Sequence, residues 1–447
     1  MTPRLQHRTD ETTRAPRSRR ALVAGSVGNF IEWYEFGVYG YFATIIAANF
    51  FTPDGGSDAE GLVKTYASFA LAFFFRPIGA AFFGRLGDRM GRRPTLIVVI
   101  LLMTGATTLI GVLPTYATVG AAAPWLLTLL RIVQGLSAGG EFGGAVSIMT
   151  EFAPPGRRGL YGSWQSFTVA LGLLAGAGIA AALATVLTEA QLGDWGWRLP
   201  FLLTLPLGLI ALWLRLRLEE TPSFRRSQGE DASSGDGPAT AVPPVAAPAR
   251  EHAKAVALGA GRLMGWAAAG YTFLVVLPSY LQNTLDATFQ QALIATVLAN
   301  LGFAASIVPA GALSDRIGRR AVMTAGSVLV ALLAFPLLRL LQDTDASTTA
   351  KGAAVFVAGA VVGLMAGPGP AMLAEMFPTS ARYTGLGLAY ALSNAVFSGC
   401  AGLIITEVIE RTGNIDIPAY YVVVTCVVST VALLTLRGDD HRRALRD

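Results

Sequence analysis

The chain is a succession of long apolar segments separated by short polar ones. Twelve of these segments are long enough to cross about 30 Å of hydrocarbon as α-helices. They lie at residues 21–48, 64–84, 94–113, 122–150, 160–187, 197–216, 256–282, 289–313, 320–341, 350–374, 383–407 and 417–436. The pattern therefore predicts an all-α polytopic membrane protein with twelve transmembrane helices.

Two polar loop motifs occur in both halves of the chain. The sequence G-R-L-G-D-R-M-G-R-R at residues 84–93 is echoed by G-A-L-S-D-R-I-G-R-R at 311–320. A second pair, E-F-A-P at 151–154 and E-M-F-P at 375–378, follows at a similar offset, and each member has an arginine four residues later. Matched motifs at matched places indicate two six-helix pseudo-repeats, an arrangement that builds transporters with a midplane binding site.

The repeats divide the chain into five parts. We predict an N-terminal tail at residues 1–20, a first bundle at 21–216, a linker at 217–255, a second bundle at 256–436 and a C-terminal tail at 437–447. The linker is rich in Ser, Gly, Pro and Ala, a composition typical of flexible segments.

Composition and charge agree with a membrane protein. Hydrophobic residues make up 53% of the chain and charged residues 14%, whereas a soluble domain carries about 25% charged residues. The net charge of +5 comes from arginines in alternate loops, while the loops at 52–61 and 114–124 contain no Lys or Arg. By the positive-inside rule we expect a multi-pass cell-membrane protein with both termini in the cytoplasm, and no nucleic-acid partner.

Two acids stand three residues apart within the first apolar segment. A carboxylate at the bilayer centre costs roughly 2.5 to 3.5 kcal/mol, so such residues normally face a bundle interior and mark ion or proton routes. Glu32 and Glu35 share a helix face with Asn29. Burial and mutual repulsion favour protonation of at least one carboxyl group. We therefore predict proton coupling by Glu32, Glu35 and Glu141; the alternative is that these acids pair with neighbouring helices for packing.

Candidate substrate ligands come from several predicted spans. Arg131 shares a helix face with Gln134 and Glu141, and its guanidinium offers paired donors that suit a carboxylate. We predict that Arg131 binds a substrate carboxylate or pairs with Glu32 or Glu35, and a permanent clasp between helices is the alternative. The remaining predicted ligands are Asn29, Gln134, Arg76, Gln165, Tyr390 and Asn394. Arg76 precedes Pro77, and a kink at the proline leaves it either at bundle depth or nearer the cytoplasm. Gln165, Tyr390 and Asn394, with Tyr271 as a further cavity-lining group, could equally bridge helices.

Aromatic residues surround the two acids. For Trp33, Tyr34, Phe36, Tyr39 and Tyr41 we expect mainly lipid contact and interfacial anchoring. Any of them that faced inward could hold a quaternary ammonium by cation–π attraction.

The paired loop motif resembles the signature of the major facilitator superfamily. Four further stretches are similar to its metabolite:proton symporter branch: G-N-F-I-E-W-Y-E-F-G-V-Y-G at 28–40, F-R-P-I-G at 75–79, R-I-V-Q-G-L-S-A-G-G-E at 131–141 and D-W-G-W-R-L-P-F at 194–201. That branch includes transporters of proline and betaine, α-ketoglutarate, citrate and shikimate. The stretch L-E-E-T-P-S-F at 218–224 looks most like the proline/betaine members.

The resemblance implies that the charged loop residues are conformational latches at the cytoplasmic surface. In such a latch an Asp caps a neighbouring helix end and an Arg pairs with Glu151 or Glu375, whereas the alternative is that they serve only as topology charges. The residues concerned are Asp88, Arg89, Arg93, Glu151, Asp315, Arg316, Arg320, Glu375 and Arg382.

These observations predict a monomeric secondary transporter rather than an enzyme. We expect proton-coupled uptake of a small carboxylated or zwitterionic metabolite by alternating access. The proton gradient is its driving force, with no cofactor and no metal. A proton-coupled exporter of a drug or secondary metabolite is the alternative, and a non-transporting membrane sensor is a further one. The three histidines lie in predicted cytoplasmic segments and suggest no nucleophile–base pair.

Overall fold

The computed structural model describes residues 26–52, 56–90, 92–151, 153–216 and 249–438. Its first six transmembrane helices are α1 (26–51), α2 (Asp58–Met90), α3 (Arg92–Val112), α4 (Ala122–Ala138 and Phe142–Glu151), α5 (Arg158–Val186) and α6 (Glu189–Leu216). The last six are α7 (Ala249–Tyr271 and Leu277–Leu285), α8 (Phe289–Ile317), α9 (Arg319–Gln342), α10 (Thr348–Ala366 and Gly369–Met376), α11 (Thr379–Ser393 and Ala401–Thr412) and α12 (Ile417–Leu434).

Within the described ranges, ten helices have the length and hydropathy of a membrane span. The other two, α1 and α4, are interrupted by turns at residue 42 and at residues 139–141. Together they make the twelve helices that the hydropathy pattern predicts. The predicted N-terminal tail, most of the predicted C-terminal tail and most of the predicted linker lie outside the described residues, so the domain boundaries stay predictions.

The sixth helix begins eight residues before its predicted span, and local capping explains the extension. Thr188 accepts a hydrogen bond from the Gln191 backbone N–H at 3.2 Å, and the Gln191 side chain accepts one from the Thr188 N–H at 3.1 Å. This reciprocal cap satisfies two amides at the helix start. Hydropathy alone does not detect such a start because the capped turn is polar.

Close packing against α2 accompanies the break in α4. A Cβ atom at Gly135 would lie 1.9 Å from the Ala72 carbonyl oxygen, and one at Gly139 would lie 2.1 Å from the Arg76 carbonyl oxygen. Only glycine permits this approach of two helix backbones. The contact brings the middle of α4 against the part of α2 that carries Arg76.

The first six helices meet the last six along two main seams. In one seam α5 packs on α8, and in the other α2 packs on α11. The aromatic side chains of α2 fill the second seam: a Cβ at Gly399 would lie 2.8 Å from Phe73, and one at Gly402 would lie 2.3 Å from Tyr66. A cavity between these seams is bordered by α1, α5, α7, α8 and α11.

Candidate functional site

The acid-bearing face of α1 is turned into the protein. Glu35 is fully buried and Glu32 is 7% exposed. The expected lipid contact of the neighbouring aromatic residues is wrong, because each of them is at most 4% exposed; these are Trp33, Tyr34, Phe36, Tyr39 and Tyr41. They pack between helices around the acids, which leaves the carboxyl groups in a largely apolar shell.

Glu32 forms an ion pair with Arg76 of α2. The Glu32 Oε1 atom lies 3.2 Å from Arg76 Nη2, and both side chains are buried. The pair is loosely aligned, since Nη2 and Nε of Arg76 have no hydrogen-bond partner among the described residues. The guanidinium carbon lies 4.3 Å from the centre of the Phe36 ring and 4.2 Å from that of Phe73. Arg76 is therefore held by aromatic faces and one acid, with donors left over.

Arg131 does not form the predicted ion pair with Glu32 or Glu35. Its Nη1 atom donates to the Gln134 side-chain oxygen at 2.7 Å, and its guanidinium carbon lies 4.1 Å from the centre of the Tyr39 ring. An arginine stacked on an aromatic face keeps its charge without an acidic partner. Arg76 on the neighbouring helix takes the position against Glu32 instead, because Pro77 and the glycine contacts with α4 place it at bundle depth.

Glu35 connects to Arg131 through two uncharged side chains. Thr107 Oγ1 donates to Glu35 Oε2 at 2.7 Å, and Gln134 Nε2 donates to Thr107 Oγ1 at 2.6 Å. The other Glu35 oxygen, Oε1, is buried and has no hydrogen-bond partner in the described structure. Such an uncompensated carboxylate oxygen is costly to bury in an apolar interior.

Glu141, the third predicted coupling acid, has a separate partner. Arg215 Nη2 donates to Glu141 Oε1 at 2.7 Å, and Arg215 Nη1 reaches the Leu96 carbonyl at 3.2 Å. The turn at residues 139–141 carries Glu141 away from the contacts made by Arg131 and Gln134. The geometry is that of a clasp joining α4 to α6.

An aromatic cavity lies where the two halves meet. Its aromatic lining comes from Trp33, Trp266, Tyr271, Phe303 and Tyr390. A neighbouring cavity shares Trp33 and Tyr390 and extends to Glu32 and Arg76. The Tyr271 hydroxyl is buried without a hydrogen-bond partner among the described residues. One contiguous region thus offers several aromatic faces together with unpaired donors.

The other predicted ligands line this region or support it. Asn29 donates to the Gln165 carbonyl at 3.1 Å and to Thr168 Oγ1 at 2.7 Å, which ties α1 to α5. Asn394 lines the aromatic cavity and donates to the Tyr390 carbonyl at 2.9 Å. Asn29 and Gln165 therefore bridge helices, while Tyr390 and Asn394 face the cavity.

A second polar cluster joins the two six-helix halves at the N-terminal end of α5. Both carboxylate oxygens of Asp315 accept hydrogen bonds from this helix end, from Gly159 N at 2.7 Å and Leu160 N at 2.8 Å. Arg319 lies 2.8 Å from Asp315 and 3.0 Å from Glu375. Arg158 lies 3.4 Å from Glu375 and closes the network.

Within this cluster the predicted arginines are replaced by Arg319. Arg316 and Arg320 are exposed, whereas Arg319 is 3% exposed, because the turn at Gly318 directs only Arg319 towards Glu375. Arg382 is buried and donates to the Ala374 carbonyl at 3.2 Å. The predicted latch residues Asp88, Arg89, Arg93 and Glu151 have side chains outside the described structure.

Sequence reasoning missed Thr107, Arg215, Arg319 and Trp266. Arg215 and Arg319 lie at the ends of apolar segments, where an arginine is ordinarily attributed to membrane topology. Thr107 lies one turn after Met103 in an apolar helix, where threonine is common. No signal in the sequence separates these residues from their neighbours, since only the fold brings them to the acids. Among the described residues no group of His, Cys, Asp or Glu has the arrangement of a metal site.

Comparison with known proteins agrees with this architecture. The family model "Sugar (and other) transporter" matches residues 21–236, and "Major Facilitator Superfamily" matches residues 264–447. The proline/betaine transporter of Escherichia coli K12 is 34% identical over 429 residues, covering 95% of this chain and 84% of that protein. The chain belongs to the major facilitator superfamily.

A second relative and a solved structure agree with this family assignment. A glycine betaine/proline/ectoine/pipecolic acid transporter of Dickeya dadantii is 34% identical over 433 residues, covering 95% of this chain and 84% of that protein. The crystal structure of a D-xylose-proton symporter superposes with a TM-score of 0.72 at 19% identity, covering 92% of this chain and 97% of that one. The major facilitator fold is thus confirmed, and these relatives are transporters, not enzymes.

Proposed function

We propose that this facilitator protein takes up a small zwitterion, such as proline or betaine, together with a proton. The observation that carries the proposal is the aromatic cavity with unpaired arginine donors at its edge. Names of the relatives point to the same substrate class. A neutral zwitterion suits the site because its ammonium group can meet the aromatic faces while its carboxylate meets the unpaired donors of Arg76.

The cationic end of the substrate would occupy the aromatic cavity. Trp33, Trp266, Tyr271 and Tyr390 line it, and Tyr390 is held by stacking on Phe142 with a centroid distance of 3.5 Å. Ring faces attract an ammonium by cation–π interaction, which strengthens when the cation is desolvated. This arrangement supports binding of a quaternary or secondary ammonium.

The carboxylate end would reach Arg76. Its Nε and Nη2 atoms lack hydrogen-bond partners among the described residues, and the Glu32 ion pair is loose at 3.2 Å. A substrate carboxylate can therefore compete with Glu32 for the guanidinium. A paired, charge-assisted hydrogen bond would favour the substrate.

For the proton we propose Glu35 as the carrier. It is fully buried, and one carboxylate oxygen has no partner in the described structure. A buried carboxyl that alternates between two aqueous sides can bind a proton on one side and release it on the other. Glu32 would then respond to substrate binding through its shared partner Arg76, and Glu35 would carry the proton that drives transport.

The cluster around Asp315 would act as the cytoplasmic latch of a monomer whose termini face the cytoplasm. It joins α5 of the first half to α8, α9 and α10 of the second by charged contacts. Alternating access requires such contacts to break and re-form.

Reconstitution in liposomes tests the proposal. Uptake of labelled betaine, proline, α-ketoglutarate, citrate and shikimate would be measured with and without an imposed inward proton gradient. Accumulation of betaine or proline driven by the gradient supports the proposed function. Accumulation of citrate or shikimate alone would overturn the zwitterion assignment. Substrate movement against an inward proton gradient would favour an exporter, and no transport of any solute would favour a sensor.

Replacing Trp266 by Ala should weaken binding of betaine more than that of proline. Trp266 lines the aromatic cavity, and the full methyl shell of betaine depends more on ring faces than on hydrogen bonds. We expect the betaine half-saturation constant to rise about 5- to 30-fold, the equivalent of ~1 to 2 kcal/mol. Trp125→Ala is the matched control because Trp125 is 76% exposed. Equal betaine affinities in Trp266→Ala and Trp125→Ala would contradict binding of the ammonium group in the aromatic cavity.

Replacing Asp315 by Asn should slow transport while sparing affinity. The change removes the charge that accepts hydrogen bonds from the end of α5 and pairs with Arg319. We expect the maximal rate to fall about tenfold, since a hydrogen bond to a charged group contributes ~1.5 kcal/mol or more. Initial rates across substrate concentrations measure both quantities, and exposed Asp345→Asn is the control. A large loss of affinity at an unchanged rate would argue against a latch.

A further inference from the structure

Thr107 of α3 stands between the proton-carrying acid and the buried arginine of α4. It is fully buried, and its single hydroxyl meets three side-chain or backbone partners. Glu35 Oε2 lies 2.7 Å away, the Met103 carbonyl lies 3.0 Å away, and Gln134 Nε2 donates to the hydroxyl at 2.6 Å. The function proposed above does not use this residue.

The hydroxyl has one hydrogen and two acceptors within reach. It can donate to the Glu35 carboxylate or to the Met103 carbonyl, but not fully to both. An ionised Glu35 is the stronger acceptor and takes the hydrogen. A protonated Glu35 can instead donate to the hydroxyl oxygen, and the threonine hydrogen then turns to the Met103 carbonyl. Thr107 thus has two hydrogen-bonded states that follow the protonation of Glu35.

The contacts continue from Thr107 to Arg131. The Gln134 amide donates to Thr107 and accepts from Arg131 Nη1 at 2.7 Å. Every donor in the series Arg131, Gln134, Thr107 therefore points towards Glu35. When Glu35 is protonated, the hydroxyl oxygen accepts from both Glu35 and Gln134, and it no longer donates to an anion. Because donation to an anion polarises the hydroxyl and strengthens the bond from Gln134, its loss weakens the hold on Gln134 and Arg131.

The charged groups around Glu35 do not link it to Arg131 more directly than Thr107 and Gln134 do. Arg131 makes no ion pair with Glu35, and the nearest other charges are engaged elsewhere, Glu32 with Arg76 and Glu141 with Arg215. The titratable and charged groups that interact with Glu35 are Glu32 and Tyr34 on its own helix and Arg131 and Glu141 on α4.

We propose that Thr107 is a positioning residue that reports the protonation of Glu35 to Gln134 and Arg131, and so couples the proton to the movement of α4. The proposal rests on the proposed function. The transported proton comes from water on the open side, resides on a Glu35 oxygen and returns to water on the other side, so no other bond is made or broken.

Two transport assays on the reconstituted protein distinguish a role of Thr107 in proton coupling from a purely structural role. One is accumulation of labelled betaine or proline driven by an inward proton gradient, and the other is exchange at equal substrate concentrations without a gradient. Thr107→Val keeps the shape and removes the hydroxyl, and Thr107→Ser restores the hydroxyl. Thr108→Val is the matched control, since the Thr108 hydroxyl contacts Thr204, at 3.2 Å, and not the acids.

For Thr107→Val we expect accumulation to fall at least tenfold, exchange to stay within about twofold, and the pH dependence of exchange to flatten. Thr107→Ser should recover most of the accumulation, and Thr108→Val should resemble the unmodified protein. Unchanged accumulation in Thr107→Val would overturn the proposal, as would an equal loss of accumulation and exchange. If Thr107→Val does not fold, Thr107→Ala carries the same comparison. Exchange without gradient-driven accumulation in the unmodified protein would instead refute proton coupling itself, and the role of Thr107 with it.

Discussion

Glu35→Gln should abolish gradient-driven accumulation while leaving substrate exchange in place. A potential of 100 mV supplies about 2.3 kcal/mol per proton charge, which corresponds to roughly 50-fold accumulation. The amide keeps the size of the side chain and can contact Thr107, but it cannot carry a proton. We therefore expect the accumulation ratio to fall to about 1, with exchange reduced no more than about threefold.

Liposomes with an imposed potential and pH gradient provide the measurement, and pH changes in a weakly buffered exterior report proton movement directly. Glu60→Gln is the control, because Glu60 is an exposed acid paired with Lys64 on α2. Persistent accumulation with proton uptake in Glu35→Gln would remove Glu35 from the coupling role. In that case Glu32→Gln would identify whether the neighbouring acid carries the proton.

The second large effect is expected at Arg76, and the comparison with Arg131 makes it specific. Arg76→Lys retains the charge but loses the paired donors and the stacking on Phe36 and Phe73. We expect the half-saturation constant for betaine or proline to rise about 10- to 100-fold, since a charge-assisted hydrogen bond contributes ~1.5 to 3 kcal/mol. Arg131→Lys should change affinity less than about threefold and should impair accumulation instead.

Both variants replace a buried guanidinium in an aromatic setting, so each controls for the other. Thermal unfolding in detergent shows whether either has lost its fold. Normal affinity in Arg76→Lys together with a large loss in Arg131→Lys would reverse the assignment and restore Arg131 as the carboxylate ligand. The substrate dependence of the unfolding temperature gives an independent measure of affinity, because a bound ligand stabilises the folded state by an amount that grows with the logarithm of its concentration relative to Kd.

Hydropathy and motif repetition were sufficient for the architecture. Twelve apolar segments and two copies of the loop motif predicted the twelve-helix fold, since each segment must satisfy its own backbone hydrogen bonds in lipid. The burial of Glu32 and Glu35 was predictable for a related reason, as an ionisable group cannot face hydrocarbon without cost. Helix ends were less predictable: the polar capped turn before α6 and the break in α4 depend on hydrogen bonds and contacts that hydropathy does not record.

The partners of the buried charges were not predictable. Sequence spacing put Arg131, Gln134 and Glu141 on one helix face, yet Glu141 binds Arg215 because α4 turns at residues 139–141. Likewise Arg319, not its neighbours in the repeated motif, reaches Glu375. One residue of shift or one turn of helix changes which helix a side chain meets.

The sequence by itself determined the membrane environment of this protein, the number of its helices and the burial of two acids inside the bundle. These follow from transfer free energies, which depend on residue type and segment length alone. The tertiary structure decided which arginine meets which acid, that Thr107 lies between Glu35 and Gln134, and that five aromatic residues from α1, α7, α8 and α11 line one cavity. Those contacts join residues far apart in the chain, and helix packing sets them through glycine contacts and turns that no local pattern specifies.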